Sequence, residues 1–400
     1  MPSSWRWSGY DQAKDLQNMY EISHKRGGVF MNVAYQGPLK DYSGYGEANR
    51  HAVAALHAAG VNVAAQLVRY TSEPSDFGSI GKLMDELLLN DLPYKIKVMH
   101  TTPDEFKRLM EPGKYHIAHF FWETDKVPRS YADGLNLVDE IWTGSQDNAD
   151  AIKAGGVTTP VFIYPQAIET EREWPEGYMI PDFKGKLFYS IFEWTDRKNP
   201  EALLKAFWQE FEGRDDVGLL IKTYFRNFTL QNKKMIRNKI EMLKAQVGTK
   251  KFPPVFLYLD LLDRSQMMRV HKTGDVYISA HRGEGWGVPQ VEAALAGNPV
   301  ISTGYGGCHE YFPEGSLYQL PYSMVPLKGM VHAGDLYGQD QKWADVEIDD
   351  VRAAMRWAMD NPKALAKQAT AGRQVVNTKF NLAAVGKLMA DRLEIIEGGL

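Results

Sequence analysis

Cysteine is nearly missing from this chain of 400 residues, where Cys308 stands alone. One thiol excludes an internal disulfide framework and a cysteine-rich metal site. A reducing, cytoplasmic compartment is therefore the expectation. No run of about 18 apolar residues occurs, so no membrane-spanning helix and no stable membrane insertion are expected. The opening stretch, Met1-Pro2-Ser3-Ser4-Trp5-Arg6-Trp7, lacks the apolar centre of a secretory signal. Charge of one sign is also scarce. Lys and Arg number 46 against 50 Asp and Glu, and the net charge of −4 offers no global attraction to nucleic acid or anionic lipid. Internal repeats and low-complexity tracts are absent.

What is present suits a globular protein, with 44% hydrophobic and 24% charged residues. The length exceeds what one small core serves and implies two domains. Twenty tyrosines and ten tryptophans are many. Such rings can line sugar sites, although in a chain of this size most fill cores.

Short apolar runs alternate with helical patterns. Strands are predicted at 28–35, 61–68, 94–100, 115–121, 140–145 and 160–165, and an alanine-rich helix at 46–60. The stretch 166–185, "QAIETEREWPEGYMIPDFKG", is polar and aperiodic and reads as an interdomain linker. A second series then predicts strands at 186–192, 218–224, 254–259, 275–280 and 298–303, with a helix at 200–213 and helices closing the chain at 350–360 and 381–396. This β-α alternation predicts an α/β protein with two parallel sheets covered on both faces. Open sheets of this kind bind ligands at the carboxyl ends of their strands.

Four stretches could carry chemistry there. "KDYSGYGEANRH" (40–51) follows the first strand and opens a helix. Gly44 and Gly46 would let backbone approach a ligand, and the helix start offers free N–H groups to an anion. A plain glycine turn explains the same letters. "HIAHFFWETDKVP" (116–128) ends an apolar strand in a polar cluster that contains Glu123. Its His116 and His119, three apart on a strand, face opposite sides and cannot chelate one metal, so at least one is expected to be a core histidine. "SIFEWTDRKNPEALLKAF" (190–207) sets Arg197 and Lys198 before a helix opened by Pro200. Two cations at a strand end suit a diphosphate, although alone they also read as a solvated loop pair.

The fourth stretch, "SAHRGEGWGVPQVEAALAGNPVIST" (279–303), holds two glutamates eight positions apart. Glu284 lies among Gly283, Gly285 and Gly287, and Glu292 lies inside the helix that begins near Val288. A carboxylate accepts hydrogen bonds from sugar hydroxyls, and a ribose diol presents two adjacent donors. The positive end of the helix would face a diphosphate. Glu292 as an ordinary helix glutamate is the plainer alternative.

This last stretch closely resembles the E-x7-E segment of glycosyltransferase family 4, retaining nucleotide-sugar transferases of the GT-B fold. "FEWTDRKNPEALLKAF" is similar to that family's phosphate-binding segment, "DEIWTGSQDNADAIKAGGVTTPVFIYPQAI" (139–168) to its last N-domain βαβ unit, and 42–63 to its first glycine loop and helix. The resemblance covers most of the chain in the right order. It implies two Rossmann-like domains facing across a cleft: an acceptor-side domain, 1–170, with a C-terminal helix at about 378–400 packing back on it, and a donor domain, 171–377. It implies a retaining hexosyltransferase that moves a sugar from a UDP- or GDP-sugar to a hydroxyl acceptor. A glycan, a lipid-linked or small molecule, and a modified nucleic-acid base all remain open as acceptors. Glu284 would contact the donor sugar, with Gly285, Trp286 and Gly287 beside it. Glu292 would bind the ribose, Arg197 and Lys198 would stabilise the leaving diphosphate, and Gly44, Gly46, Gly306 and Gly307 would approach the donor.

Two departures stand out. The arginine that many members carry before the lysine is replaced near Phe192 or Glu193, so either Arg197 substitutes or the arrangement differs. Where many carry a histidine at the cleft this chain reads Phe121-Trp122-Glu123, which makes Glu123 the substitute candidate. No D-x-D pair, the metal–nucleotide signature of the other major transferase fold, occurs. No metal or cofactor beyond the co-substrate is expected. The basic segment 226–251 has eight Lys and Arg against Glu241 alone, and reads either as a solvated helix or as a contact for a phosphate-rich acceptor or membrane surface. Competing readings are a catalytically silent GT-B binding or scaffold protein, a GT-B epimerase, and a phosphorylase, for whose pyridoxal lysine there is no signature.

Overall fold

The computed structural model describes residues 31–70, 77–330, 334 and 336–400. The expectations for the first residues, including the start of the strand at 28–35, lie outside the described residues.

The first sheet has six parallel strands: β1 Asn32–Gly37, β2 Asn62–Leu67, β3 Ile96–Met99, β4 Tyr115–His119, β5 Glu140–Thr143 and β6 Val161–Ile163. Their order is β2-β1-β3-β4-β5-β6. The second sheet contains β7 Lys186–Glu193, β8 Val217–Tyr224, β9 Val255–Tyr258, β10 Val276–Ser279, β11 Val300–Thr303 and β12 Tyr318–Leu320, in the order β12-β11-β10-β7-β8-β9. Every pairing in both sheets is parallel. Parallel strands covered by helices on both faces need apolar side chains on both. All four residues of β3, β5, β10 and β11 are buried. The strand order reverses between β1 and β3 and between β7 and β10. Each reversal opens a crevice at the carboxyl ends.

The helices begin and end where local chemistry directs. Helix α1, Gly44–Ala58, is capped by Ser43, whose hydroxyl accepts from the Gly46 N–H. Pro200 opens the helix Pro200–Glu210 behind Asn199, whose side chain accepts from Ala202 N–H. Val288–Ala296 starts after Gly287, at φ +91°, and stops at Gly297, at φ +87°.

Two features join the halves. The chain crosses near Ile168, whose N–H donates to the Phe380 carbonyl at 2.7 Å, and it returns there. The last helix, Leu382–Gly399, then lies on α1. Val385, Met389 and Leu393 share the core cluster of Val53 and Leu56, and a Cβ on Gly386 would stand 2.0 Å from the Ala55 carbonyl oxygen. The second feature is an antiparallel hairpin, Ser323–Pro326 with Lys342–Asp345, that the sequence reading did not include. It docks on the other domain: Lys342 N–H donates to Asp125 Oδ1 at 2.6 Å, and Tyr337 stacks on Trp122 at 5.2 Å. The basic segment forms a helix over Leu230–Gln246, seated by Ile236 and Ile240. Part of its charge is matched locally, Lys233 by Asp260 and Lys244 by Glu241. Among the described residues no helix is long and apolar enough to cross a membrane.

Candidate functional site

Strand β7 ends in a short helical turn, Asp196–Lys198, which sets Arg197 and Lys198 at the reversal point of the second sheet. Strand β10 ends beside it, and its following loop carries Glu284. The Lys198 ammonium pairs with Glu284 Oε1, and Arg197 Nη1 lies 3.8 Å from Glu284 Oε2 while donating to the Gly283 carbonyl at 2.8 Å. Glu123 comes from the loop after β4 in the other domain. Its Oε1 lies 3.4 Å from Arg197 Nη2, and its Oε2 accepts from the Tyr337 hydroxyl at 2.9 Å. The fold thus gathers four residues singled out from sequence, Glu123, Arg197, Lys198 and Glu284, into one cluster from three separate segments.

The electrostatics follow from that gathering. Burial by itself would raise the carboxyl pKa of Glu284, but Lys198, His281 and Arg197 overcome it and hold it at about 2. Burial likewise opposes the charge on Arg197, and Glu123, Tyr337 and Glu284 more than offset it, so its pKa is raised. The site is therefore a fixed row of two cations and two carboxylates in a water-poor crevice, where charge interactions are strong.

Glu292 sits one turn into Val288–Ala296 and is 5% exposed. Its Oε1 pairs with Arg264 Nη1 at 2.8 Å and Arg172 Nη1 at 3.4 Å, and its Oε2 lies 3.4 Å from His271 Nε2. These partners keep its carboxyl well below the usual pKa against the opposing effect of burial. Arg264 also pairs with Glu47, in the first turn of α1. One guanidinium thus bridges the two domains next to Glu292. Sequence reasoning missed Arg264, Arg172, His271, Glu47 and Tyr337. The visible signal at Arg264 is the capping box of Asp263 and Gln266, which marks a helix start and says nothing about what the next side chain faces.

The glycines approach protein more than open space. A Cβ on Gly283 would stand 2.0 Å from the Glu123 carbonyl oxygen, so this glycine lets the two domains' loops touch. Gly306 and Gly307, at φ +69° and +65°, press against the backbone of Glu284 and Trp286. Gly46 packs on Asp41 and Gly285 on Phe121, whereas Gly44 is exposed with nothing near it. Gly287 caps its helix. The Trp286 indole is 5% exposed, edge-on to Phe380 and Tyr311 in the core, so this side chain supports the loop instead of lining a wide pocket.

A cavity of about 10 Å³ is lined by Glu284, Trp286, Gln290 and His309, all from the second domain. Pockets for ligands of nucleotide-sugar size run from roughly 300 Å³ upward. A ligand of that size does not fit this cavity, and the carboxylates of Glu284 and Glu292 are both engaged in ion pairs.

His116 and His119 separate as expected. His116 Nε2 accepts from the Glu111 N–H at 2.9 Å, and His119 Nδ1 lies 3.1 Å from the Tyr35 hydroxyl in the core.

No protein-family model matches the sequence, and no curated protein matches it as a relative. Solved structures do share its fold. Sucrose-phosphate synthase of Thermosynechococcus elongatus superposes with a TM-score of 0.66 at 12% identity, over 92% of this chain and all of that one. HepE of Anabaena, solved with UDP and glucose, gives 0.61 at 12% identity, over 91% of this chain and 99% of its own. The pneumococcal O-GlcNAc transferase GtfA, solved with UDP and GlcNAc, gives 0.53 at 13% identity, over 79% of this chain and 59% of its own. The two six-stranded parallel sheets and the cleft between them are those of the GT-B fold.

Proposed function

We propose that this chain is a retaining glycosyltransferase of the family 4 type, which moves a sugar from a nucleoside-diphosphate sugar to a hydroxyl acceptor. The observation that carries the proposal is the seating of Glu284 against Lys198 and Arg197 at the strand-order reversal between β7 and β10. A sugar hydroxyl needs an ionised acceptor, and a departing diphosphate needs fixed cations; this one cluster offers both. The GT-B fold, shared with structures solved with UDP, glucose or UDP-glucose, supports a nucleotide-sugar donor. In this reading Glu284 orients the hexose, Arg197 and Lys198 take up charge on the leaving diphosphate, and Glu292 receives the ribose once Arg264 moves. The helix Val288–Ala296 turns its positive end toward the same diphosphate. The basic pair and the helix end supply this charge without drawing on a metal. Glu123 holds Arg197 from the acceptor-side domain.

One observation favours a second reading. Glu292 is already matched by Arg264, Arg172 and His271, as in a protein that keeps the fold without turning over a donor. Calorimetric titration with UDP, GDP, ADP and their sugar conjugates, without added metal, separates the two. Binding of one nucleotide that weakens at least 10-fold in Glu292→Ala supports the transferase. Absence of binding to every nucleotide would leave the silent scaffold as the better account.

A further inference from the structure

Buried polar atoms without partners are uncommon in folded proteins and call for a reason. Five of those in this structure gather at the carboxyl edge of the first sheet: Gln36 Oε1, Tyr45 Oη, Asn49 Oδ1, His100 Nε2 and His119 Nε2. Gln36 is the last residue but one of β1, Tyr45 and Asn49 belong to the first half of α1, His100 follows β3 and His119 closes β4. They therefore surround the strand-order reversal of this sheet, where a ligand crevice is expected.

The two imidazoles lie against each other, ring centroids 4.2 Å apart. Both Nδ1 atoms turn to one hydroxyl, that of the fully buried Tyr35, at 2.6 Å from His100 and 3.1 Å from His119. That hydroxyl has one proton. It donates to one imidazole and must accept from the other, so the rings hold opposite tautomers. The consequence appears on the far side of each ring. One Nε2 carries a proton and the other is a bare lone pair, whichever ring takes the Tyr35 proton. An alcohol group accepts one hydrogen bond and donates one, which matches this pair.

The surroundings limit the ligand further. Burial holds His119 at about pKa 3 and, with His119 beside it, lowers His100 as well. The pair is neutral and its neighbours are aromatic. Tyr45, beside the exposed Gly44, lies 5.2 Å from His100 and covers it. Phe121 lies 5.2 Å from His119, and its Cβ backs onto Gly285. One ring therefore separates the histidines from the loop of Glu284.

We propose that His100 and His119, set in opposite tautomers by Tyr35, form a subsite that holds an alcohol group of an uncharged polyol acceptor beside the donor loop. The proposal rests on the glycosyl-transfer reading of the cleft and names its acceptor class. Tyr45 must move aside for the polyol to enter. The histidines act by positioning the hydroxyl.

The test uses the full chain with ¹⁵N-labelled histidine, titrated with glycerol and with methyl α-D-glucopyranoside, in the presence and absence of UDP. The nitrogen shifts should show His100 and His119 in opposite tautomers, and both probes should move the two Nε2 signals. His119→Phe should weaken probe binding at least 10-fold and leave UDP affinity within twofold. His119→Gln, which keeps a polar atom at the Nε2 position, should recover most of the loss. Equal tautomers, Nε2 signals indifferent to both probes, or unchanged probe binding in His119→Phe would each overturn the subsite and leave ordered water as the partner of these atoms. Probe binding without UDP binding would retain the subsite and remove the glycosyl-transfer reading. UDP binding without any probe response would do the reverse.

Discussion

The two glutamates of "GEGWGVPQVE" are eight residues apart and are held by different sets of partners. Glu284 pairs with cations of its own domain, Lys198 and Arg197, which the sequence places one strand away. Glu292 is matched by Arg264, whose other partner, Glu47, belongs to the facing domain. Both sites reach across the cleft, since Arg197 also pairs with Glu123, but the nearer partner of Glu284 is Lys198 of its own domain, whereas the nearest partner of Glu292, Arg264, is itself the bridge. A motif can therefore be read as one unit and yet carry two mechanical roles.

The comparison breaks most sharply at Glu284. Glu284→Ala leaves Lys198 and Arg197 buried beside one another without that counter-charge. Unpairing a buried ion pair in this way costs about 3–5 kcal/mol. The expected result is a large fall in the urea midpoint and, given a donor and acceptor, a loss of turnover of roughly 100-fold or more. An unchanged midpoint would mean that the pair contributes nothing to the fold.

Acid should act on both regions, by a smaller step for each group. The folded-state pKa values of Glu284 and Glu47 lie at about 2, below the usual 4.5. A depressed carboxyl stabilises the fold fully above its unfolded value and loses that contribution as pH falls through the folded value. Stability should therefore drop between about pH 4.5 and pH 2, by roughly 3 kcal/mol for each group. Urea midpoints measured across that window check this, and Glu284→Ala should show a shallower slope.

The smallest expected effect sharpens the contrast. Arg264→Gln removes the interdomain bridge but leaves Glu292 with Arg172 and His271. If donor binding must displace Arg264, this substitution strengthens binding of the preferred nucleotide several-fold in calorimetry. A weakening would place Arg264 among the donor's own contacts.

Much of this arrangement was legible in the letters, and the residues show why. Continuous apolar runs such as "GLLIKTY" and "DVYISA" mark strands buried on both faces, and they appear as β8 and β10 with small shifts at their ends. Arg197, Lys198 and Glu284 could be nominated because each lies just past a strand, at the edge where such sheets bind ligands. The hairpin Ser323–Pro326 with Lys342–Asp345 was not legible, because its strands are four residues each and lie far apart in the sequence. The glycines were legible as glycines only. That Gly283 accommodates the Glu123 carbonyl depends on a segment 160 positions earlier.

By itself the sequence determined the alternation of strands and helices, the two-sheet plan and the strand ends on which chemistry could stand. Those follow from periodicity, caps and burial, which act within a few residues. Tertiary structure decided which charges meet: Arg264 with Glu47 and Glu292, Glu123 with Arg197, and His100 with His119 under one tyrosine hydroxyl. The reason is that ion pairs and hydrogen bonds act over a few ångströms. Their partners come from distant segments and become neighbours only when the strands are assembled into sheets and the two domains are packed together.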